Sequence, residues 1–543
     1  MTQGKQSFMR GAFILGAAAF FIKLLGAVYK VPYQNITGNE GMFVYQQVYP
    51  LYSTLLTIAT AGIPIAISKL VSEKLASGNG AGAQRLFKVT SIILSISGLF
   101  FFILLYVGAP WVAKWMGSES LLTLPIQSVS FALLVVPLMS VIRGYFQGHQ
   151  NMTPTAVSQM VEQSVRVATI LLLAWWFMSS GAGVIYAGAG AVFGAFTGAA
   201  AGLIVLLVYW RKSRQTRLEM IKNTPKETGS SPESALHIFR NLLVLSIPIC
   251  LGSLVLPLLS LVDSFTVANL LEAGGWSNQM AVEQKGIYDR GQPLIQFAAF
   301  FATALALSIV PAIAEAQARQ SEREILERSS LALRLTLIMG LPASVGLAVV
   351  AQPTNVMLYK DDAGSLALAI LALTTLFSTL GMTSSGILQG IGRVMLPARN
   401  LLIGVGVKLL LNVWLVPLWD IRGAALATVG GYAVASCLNL IILYNRMGPI
   451  LHLRRIGLPL LVANGLMAAV SFGTVQGVLW LATEKAGRLG MTVAALSGVL
   501  AGALFYAFAL LKLGILSREE MKKVPKIGAK IVPILERYHL FKS

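Results

Sequence analysis

Charge is scarce in this sequence: Asp, Glu, Lys and Arg make up 12% of its 543 residues, about half the usual share in a soluble protein. Acid is scarcer than base, with 22 acidic residues against 42 basic ones. The two cysteines, Cys250 and Cys437, lie in apolar blocks, which argues against a disulfide framework or a cysteine metal site. The four histidines, His149, His237, His452 and His539, are scattered, so no metal site is expected. No P-loop, G-x-S-x-G, H-E-x-x-H or Asp-rich diphosphate–metal motif occurs. Walker-type ATP hydrolysis is thereby excluded, and neither a catalytic residue nor a cofactor is expected. Any transport has to draw on gradients, membrane potential or downstream consumption. The first apolar block, Gly11–Val28, contains Lys23 and is not followed by a small-residue cleavage site, so no cleavable signal peptide is expected.

What the chain has instead is apolar length. Hydrophobic residues make up 56% of it and come in uncharged blocks such as Val89–Val107 and Gly183–Trp210. Blocks near 20 residues match the bilayer core, and backbone groups in lipid must bond internally, which dictates helices. About 14 spans are expected, near residues 9–30, 43–67, 87–108, 122–144, 154–178, 183–210, 239–270, 287–314, 329–350, 364–389, 395–418, 422–445, 456–481 and 490–512. The fold class is an all-α membrane protein. The longest hydrophilic stretch, 211–238, reads as a cytoplasmic linker between lobes 1–210 and 239–445, followed by two further spans within 446–512 and a basic tail, 513–543. Lysines and prolines in that tail suit either the anionic cytoplasmic leaflet or a solvated end.

With the N-terminus in the cytoplasm, 31 basic residues fall on inside segments and six on outside ones. This asymmetry places both termini in the cytoplasm. The net charge of +20 then encodes orientation and requires no nucleic-acid partner.

An internal repeat accompanies the two lobes. Gly144-Tyr145-Phe146-Gln147-Gly148 ends the fourth span and Gly386-Ile387-Leu388-Gln389-Gly390 the tenth, a shift of 242 residues. The same shift carries Arg166 onto Lys408, and Pro154 matches Pro397 with a displacement of one. Each half crosses an even number of times, so the repeats are parallel, and repeats of this kind flank midplane sites in secondary transporters. Gly190, Gly194, Gly198 and Gly202 form a stripe at i, i+4 in the sixth span, which reads as a surface for close helix packing.

Ionisable residues inside spans cost roughly 2.5–3.5 kcal/mol each at mid-bilayer, so they mark an interior or a wet cavity. The candidates at mid-span are Lys23, Glu162, Arg166, Asp263, Arg290 and Lys408. Glu162 and Arg166, four apart, can pair, and with Gln159 and Gln163 they form either a self-neutralised stripe or a substrate contact. Lys23 has no acidic neighbour in its span and either faces the cavity or snorkels. Arg290 either pairs locally with Asp289 or faces the cavity, and Asp263 is either a counter-charge or a ligand for a coupling cation. The set is net cationic and favours an anionic ligand. Arginine grips phosphate through two parallel bonds, and lysine acts as a point charge.

The stretch Arg143-Gly-Tyr-Phe-Gln-Gly-His-Gln-Asn-Met-Thr-Pro-Thr-Ala-Val-Ser-Gln-Met-Val-Glu-Gln-Ser-Val-Arg166, with Ile22-Lys23-Leu24-Leu25-Gly26 and Leu388-Gln389-Gly390-Ile391-Gly392, resembles the polysaccharide-biosynthesis and stage V sporulation protein B branch of the MOP exporter superfamily. Within it the chain is most similar to the MurJ/YtgP-type lipid II flippases, over nearly its whole length. The resemblance implies two pseudo-symmetric six-helix lobes, with spans thirteen and fourteen forming a groove for a polyprenyl tail. It also implies a bacterial cytoplasmic membrane location and a central cationic cavity that binds the diphosphate of lipid II or a related glycolipid. Alternating access would carry the headgroup outward. Cell-wall synthesis and division proteins become candidate partners. The family's S-R-x-L-G pattern falls on Ile22–Gly26, with Lys23 in the arginine's place, and its Y-A-D-R pattern on Ile287–Arg290. A further span-one arginine falls at Tyr29 or Lys30. The second span shows Ser53, Thr54 and Thr57 where better-known members carry basic residues, which leaves another lipid-linked oligosaccharide open as cargo.

A drug or cation antiporter of the same superfamily would favour acidic cavity residues, and a membrane glycosyltransferase would want acidic pairs or a large external domain. The cationic set Lys23, Lys30, Arg166, Arg290 and Lys408 favours neither. Lys23→Ala and Arg290→Ala are each expected to abolish function with expression intact, and normal complementation by both would overturn the cationic site. Arg290→Lys should keep part of the activity if attraction dominates and none if two-pronged geometry is required.

Overall fold

The computed structural model describes residues 16, 18, 21–22, 24–26, 28–60, 62–222, 234–298, 309–310, 312–449, 453–482 and 487–515. Lys23, part of the hydrophilic stretch (223–233) and the tail from 516 onward lie outside the described residues. The helices of the first half are α1 (Lys30–Thr60), α2 (Ile63–Ala76), α3 (Gly80–Trp115), α4 (Glu119–Ser130), α5 (Ala132–Gly148), α6 (Thr153–Ser179), α7 (Val184–Lys212), α8 (Arg214–Lys222), α9 (Ala235–Ala273) and α10 (Asn278–Asp289). Those of the second half are α11 (Gln292–Ala298), α12 (Glu322–Val349), α13 (Ala351–Tyr359), α14 (Ser365–Gly390), α15 (Met395–Met447), α16 (Leu453–Leu481) and α17 (Gly487–Lys512). No strand occurs among the described residues.

Ten helical stretches among the described residues are long and apolar enough to cross a membrane. Two of them double back. In α1 the chain leaves helical geometry at Gly38, with φ 70°, a left-handed value that glycine adopts without strain. The Tyr33 hydroxyl then donates to the Gly41 carbonyl at 2.9 Å, and the Tyr29 and Tyr45 hydroxyls lie 2.5 Å apart. A straight helix would separate those pairs by about 12 and 24 Å, so Gly38 is the turn of an antiparallel hairpin. The same happens in α15 at Trp419 and Asp420, where Asn400 donates to Asn439 across the arms at 2.8 Å. Expected spans eleven and twelve are the arms of α15 and expected span two lies in the second arm of α1, while much of expected span one (9–30) lies outside the described residues.

Packing divides the chain into Met1–Arg290 and Gly291–Ser543. The division falls beyond the hydrophilic stretch 211–238, because α9 and α10 belong by contact to the first unit. Their amide side chains satisfy the carbonyls that the end of α3 leaves without intrahelical partners. Asn269 on α9 donates to Trp115 O at 2.7 Å, and Asn278 on α10 to Gly117 O at 2.8 Å. Gln47 on α1, fully buried, donates to both Met116 O (2.8 Å) and Ser264 O on α9 (3.0 Å).

Small residues set the helix spacing. Each stripe glycine of α7 faces α6: a Cβ on Gly190 would stand 2.9 Å from Leu173, on Gly194 3.0 Å from the Arg166 carbonyl, on Gly198 2.6 Å from the Glu162 carbonyl and on Gly202 3.2 Å from the Ser158 carbonyl. The two G-x-x-Q-G motifs repeat one contact within their own units. Gly148 packs on Val71 and the Ser68 carbonyl, and Gly390 on Ile313 and the Val310 carbonyl, which is the same 242-residue shift in both partners. In the second unit α16 and α17 pack together through Gly498 and Gly502 against Ser471. Leu461, Phe472, Leu496, Leu500 and Leu504 are left exposed, as befits helices facing lipid.

Gly198→Val should drive the α6–α7 pair apart and lower stability by about 1–3 kcal/mol. A thermal melt of the detergent-purified protein reads this as a lower midpoint, and an unchanged midpoint would show that α7 is free to shift.

Candidate functional site

The first unit buries two charged clusters joined by a run of tyrosines. One gathers around the end of α10. Lys285 and Asp289 stand one helical turn apart, and the lysine ammonium lies 2.6 Å from each carboxylate oxygen. Their side chains are 1% and 5% exposed. Lys30, also buried, comes from the first arm of α1 and interacts electrostatically with Asp289. Arg290 is fully buried at the α10 C-cap, and its Nη1 lies 3.5 Å from Asn39 Oδ1. The Tyr288 hydroxyl donates to Asp263 Oδ2 on α9 at 2.9 Å. Three cations thus meet two carboxylates, a formal excess of one positive charge.

Backbone contact fixes this arrangement. A Cβ on Gly286 would fall 2.0 Å from the Asn39 carbonyl oxygen, so only glycine lets α10 sit this close to the α1 turn. Asn39, held by Gln34 Nε2 at 2.6 Å, also lines a polar cavity of about 480 Å³ with Thr37, Glu40, Ser118, Ser120, Asn278, Gln279 and Glu283.

The second cluster lies between α5 and α6. Glu162 bridges two guanidiniums, Arg166 at 2.6 Å and Arg143 at 2.8 Å, with all three side chains 12–14% exposed. Arg143 Nε also donates to Ser158 Oγ at 3.0 Å, and Arg166 to Gln163 Oε1 at 3.4 Å. Tyr29 and Tyr33 on one arm of α1, and Tyr45, Tyr49 and Tyr52 on the other, form a continuous ladder with ring centroids 5.3–6.3 Å apart. Arg166 interacts electrostatically with Tyr45, Tyr49 and Tyr52, which links the clusters.

The structure therefore brings Lys30, Asp263 and Arg290 together, and pairs Glu162 with Arg166. Lys408, buried, belongs to the second unit, where Gly431 of the opposite α15 arm packs on its Cβ. Lys23 lies outside the described residues. Asp289 takes Lys285 with both carboxylate oxygens, since side chains four apart share a helix face. Arg290 itself ends α10, with Gly291 breaking the chain before α11, so the expected eighth span does not begin as one helix. Lys285, one of the six outside charges of the expected map, is buried in an ion pair, and Arg143, one of the 31 inside charges, is largely buried in another; setting aside one on each side leaves the charge asymmetry intact. Lys285-x-x-x-Asp289 was readable from its spacing, as were the tyrosines at i, i+4 and i+7. The tie between Arg143 and Glu162 needed the fold. In the second span Ser53, Thr54 and Thr57 turn their hydroxyls back to the helix carbonyls of Pro50 and Ser53. Among the described residues no group of three or more His, Cys, Asp or Glu could hold a metal ion.

The hairpins, the charged interior and the apolar outer faces define a multi-pass membrane transporter fold. The solved structure of the lipid II flippase MurJ in an inward closed conformation matches it with a TM-score of 0.66 at 15% identity, over 92% of this chain and 99% of that one. The chain belongs to the polysaccharide biosynthesis protein family, whose model matches residues 8–317. It is 36% identical to the uncharacterized membrane protein YabM of Bacillus subtilis (strain 168), over 97% of this chain and 96% of that protein. It is 30% identical to the lipid II flippase MurJ of the same organism, over 95% and 97%.

Gly286→Ala should force α10 away from Asn39 and loosen the Lys30–Asp289–Arg290 grouping. The expected result is a loss of about 1–3 kcal/mol in stability together with a transport defect. Wild-type melting and transport in this variant would show that the close approach is dispensable.

Proposed function

We propose that this chain is a flippase that moves a polyprenyl-diphosphate-linked glycan across the bacterial cytoplasmic membrane, with lipid II as its cargo. The observation that carries this reading is the buried cationic grouping of Lys30, Lys285 and Arg290, in a chain related over nearly its full length to a lipid II flippase. A diphosphate offers several oxygens and more than one negative charge, and suits cations converging from different helices. Buried ionisable residues in a membrane protein are functional candidates by default. Arg166 and Lys408 complete the proposed cationic set in the two halves, with Lys23 on the first span. Glu162 acts as counter-charge to Arg166, and Asp263 as counter-charge or cation ligand. The lobes 1–210 and 239–445 would alternate access, and spans thirteen and fourteen would hold the lipid tail. Both termini lie in the cytoplasm on this reading, with the basic tail against anionic lipid.

A second reading keeps the mechanism and changes the glycan. The second-span hydroxyls, spent on their own helix, supply no cation there, so a related undecaprenyl-linked oligosaccharide remains a defined alternative. Depleting the protein, with any paralogue removed, and identifying the precursor that accumulates on the cytoplasmic leaflet separates the two. Build-up of lipid II is expected. Normal lipid II distribution with accumulation of another polyprenyl glycan would assign the second cargo.

A further inference from the structure

Lys285 and Asp289 form a deeply buried ion pair, their side chains 1% and 5% exposed. Fold stability does not account for it, since replacing a buried pair by apolar residues of similar size is often neutral or stabilising. Its surroundings give it a different sense. The carboxylate accepts the ammonium with both oxygens, Lys30 lies in electrostatic reach of it, and the buried guanidinium of Arg290 belongs to the next residue. Asp289 thus sits as an anion among the cations assigned above to a diphosphate. Asp263 takes the Tyr288 hydroxyl and lies in electrostatic reach of Asp289. A carboxylate presents two oxygens sharing one negative charge, as one phosphate of a diphosphate does.

We propose that Asp289 is a place-holder for the anionic headgroup, and that cargo displaces it from Lys285. This rests on the flippase reading and adds a cargo-binding residue, Lys285, and a means of release. Without Asp289 as competitor, three buried cations offset by Asp263 alone would hold a diphosphate too tightly to let it go. With the competitor, only the fraction of molecules whose lysine is free can bind, and apparent affinity falls by that fraction. When the headgroup departs, Asp289 returns to Lys285 and no bare buried charge is left. Release requires only rotation of the Asp289 side chain away from Lys285, which leaves the backbone hydrogen bonds of α10 in place.

The test measures binding of farnesyl diphosphate to the full chain in detergent by calorimetry, with a melt of each variant as a check on folding. Asp289→Asn frees the ammonium and should tighten binding roughly tenfold, and Asp289→Ser offers the same freed ammonium if the first variant does not fold. Lys285→Met should weaken binding. The exchange Lys285→Asp with Asp289→Lys keeps an ion pair on the same helix face but moves the cation by one turn. It restores wild-type binding if the pair is only structural and fails to if Lys285 grips the phosphate. Wild-type binding that does not tighten in either folded Asp289 variant overturns the place-holder and leaves the flippase reading standing. No binding by wild type or any variant overturns both.

Discussion

A charge taken out of water has to find a partner, and that requirement organises the first half of this protein. Arg143, Arg166 and Lys285 each meet an acid supplied by their own helix or by a neighbour. Arg166 and Arg143 share Glu162, and Lys285 has Asp289. The helices are then tied in place by more than apolar contact, because separating α5 from α6 would strand a guanidinium. Removing one partner of such a buried pair typically costs about 3–5 kcal/mol, more than a methyl group of packing loss. The glycines make the pairing geometrically feasible. Gly194 and Gly198 bring α7 onto the backbone that carries Glu162 and Arg166, and Gly286 brings α10 onto the turn that carries Asn39. Small residues and large charges are thus two halves of one design: close backbones leave the charges no room for water, and the charges fix which backbones come close.

Lipid imposes the complementary rule on the outside. Helices cannot be driven together in a bilayer by apolar burial alone, since lipid tails are as apolar as leucine. The residues that define the fold are accordingly polar or small: Gln47 spanning α1, α3 and α9, Asn269 and Asn278 on the end of α3, Asn400 with Asn439 across a hairpin. Many large apolar side chains, by contrast, lie on exposed faces of the helices, while others fill the core between them.

Much of this was legible in the sequence. The spans followed from uncharged length, and the 242-residue repeat, read from two short motifs, reappears as one glycine contact made twice with partners displaced by the same interval. The Glu162–Arg166 pair and the packing role of the α7 glycines followed from helical spacing. What stayed hidden depended on chain reversal or on depth. Nothing local announces that Gly38 turns the chain so that Tyr29 meets Tyr45. Lys285 looked like a loop charge because the apolar run was drawn to begin at 287. The helix that carries it is short, mixed in composition and buried by contact with α1 rather than by its own hydrophobicity. For Arg143 the ion pair stayed hidden because a basic residue near a span end satisfies the orientation rule equally well in water or in an ion pair.

The sign of the buried charge bears most directly on cargo class. An exporter of cationic drugs needs acids that its substrate can neutralise, and a site with more arginine and lysine than acid would repel such a substrate before contact. Around α10 the balance is one positive charge in excess, and in the α5–α6 cluster it is one again, with two guanidiniums on a single carboxylate. Neither excess is large, which matters as much as its sign. A strongly cationic interior would bind a diphosphate and keep it, and it would be costly to hold while empty. A site only slightly short of anions is stable between cycles and still attractive to a dianion. Conduction and transport alike require binding that is favourable enough to admit the substrate and weak enough to release it. On the proposed reading, the acids that accompany these cations set that compromise, so the carboxylates are as much part of the anion site as the bases.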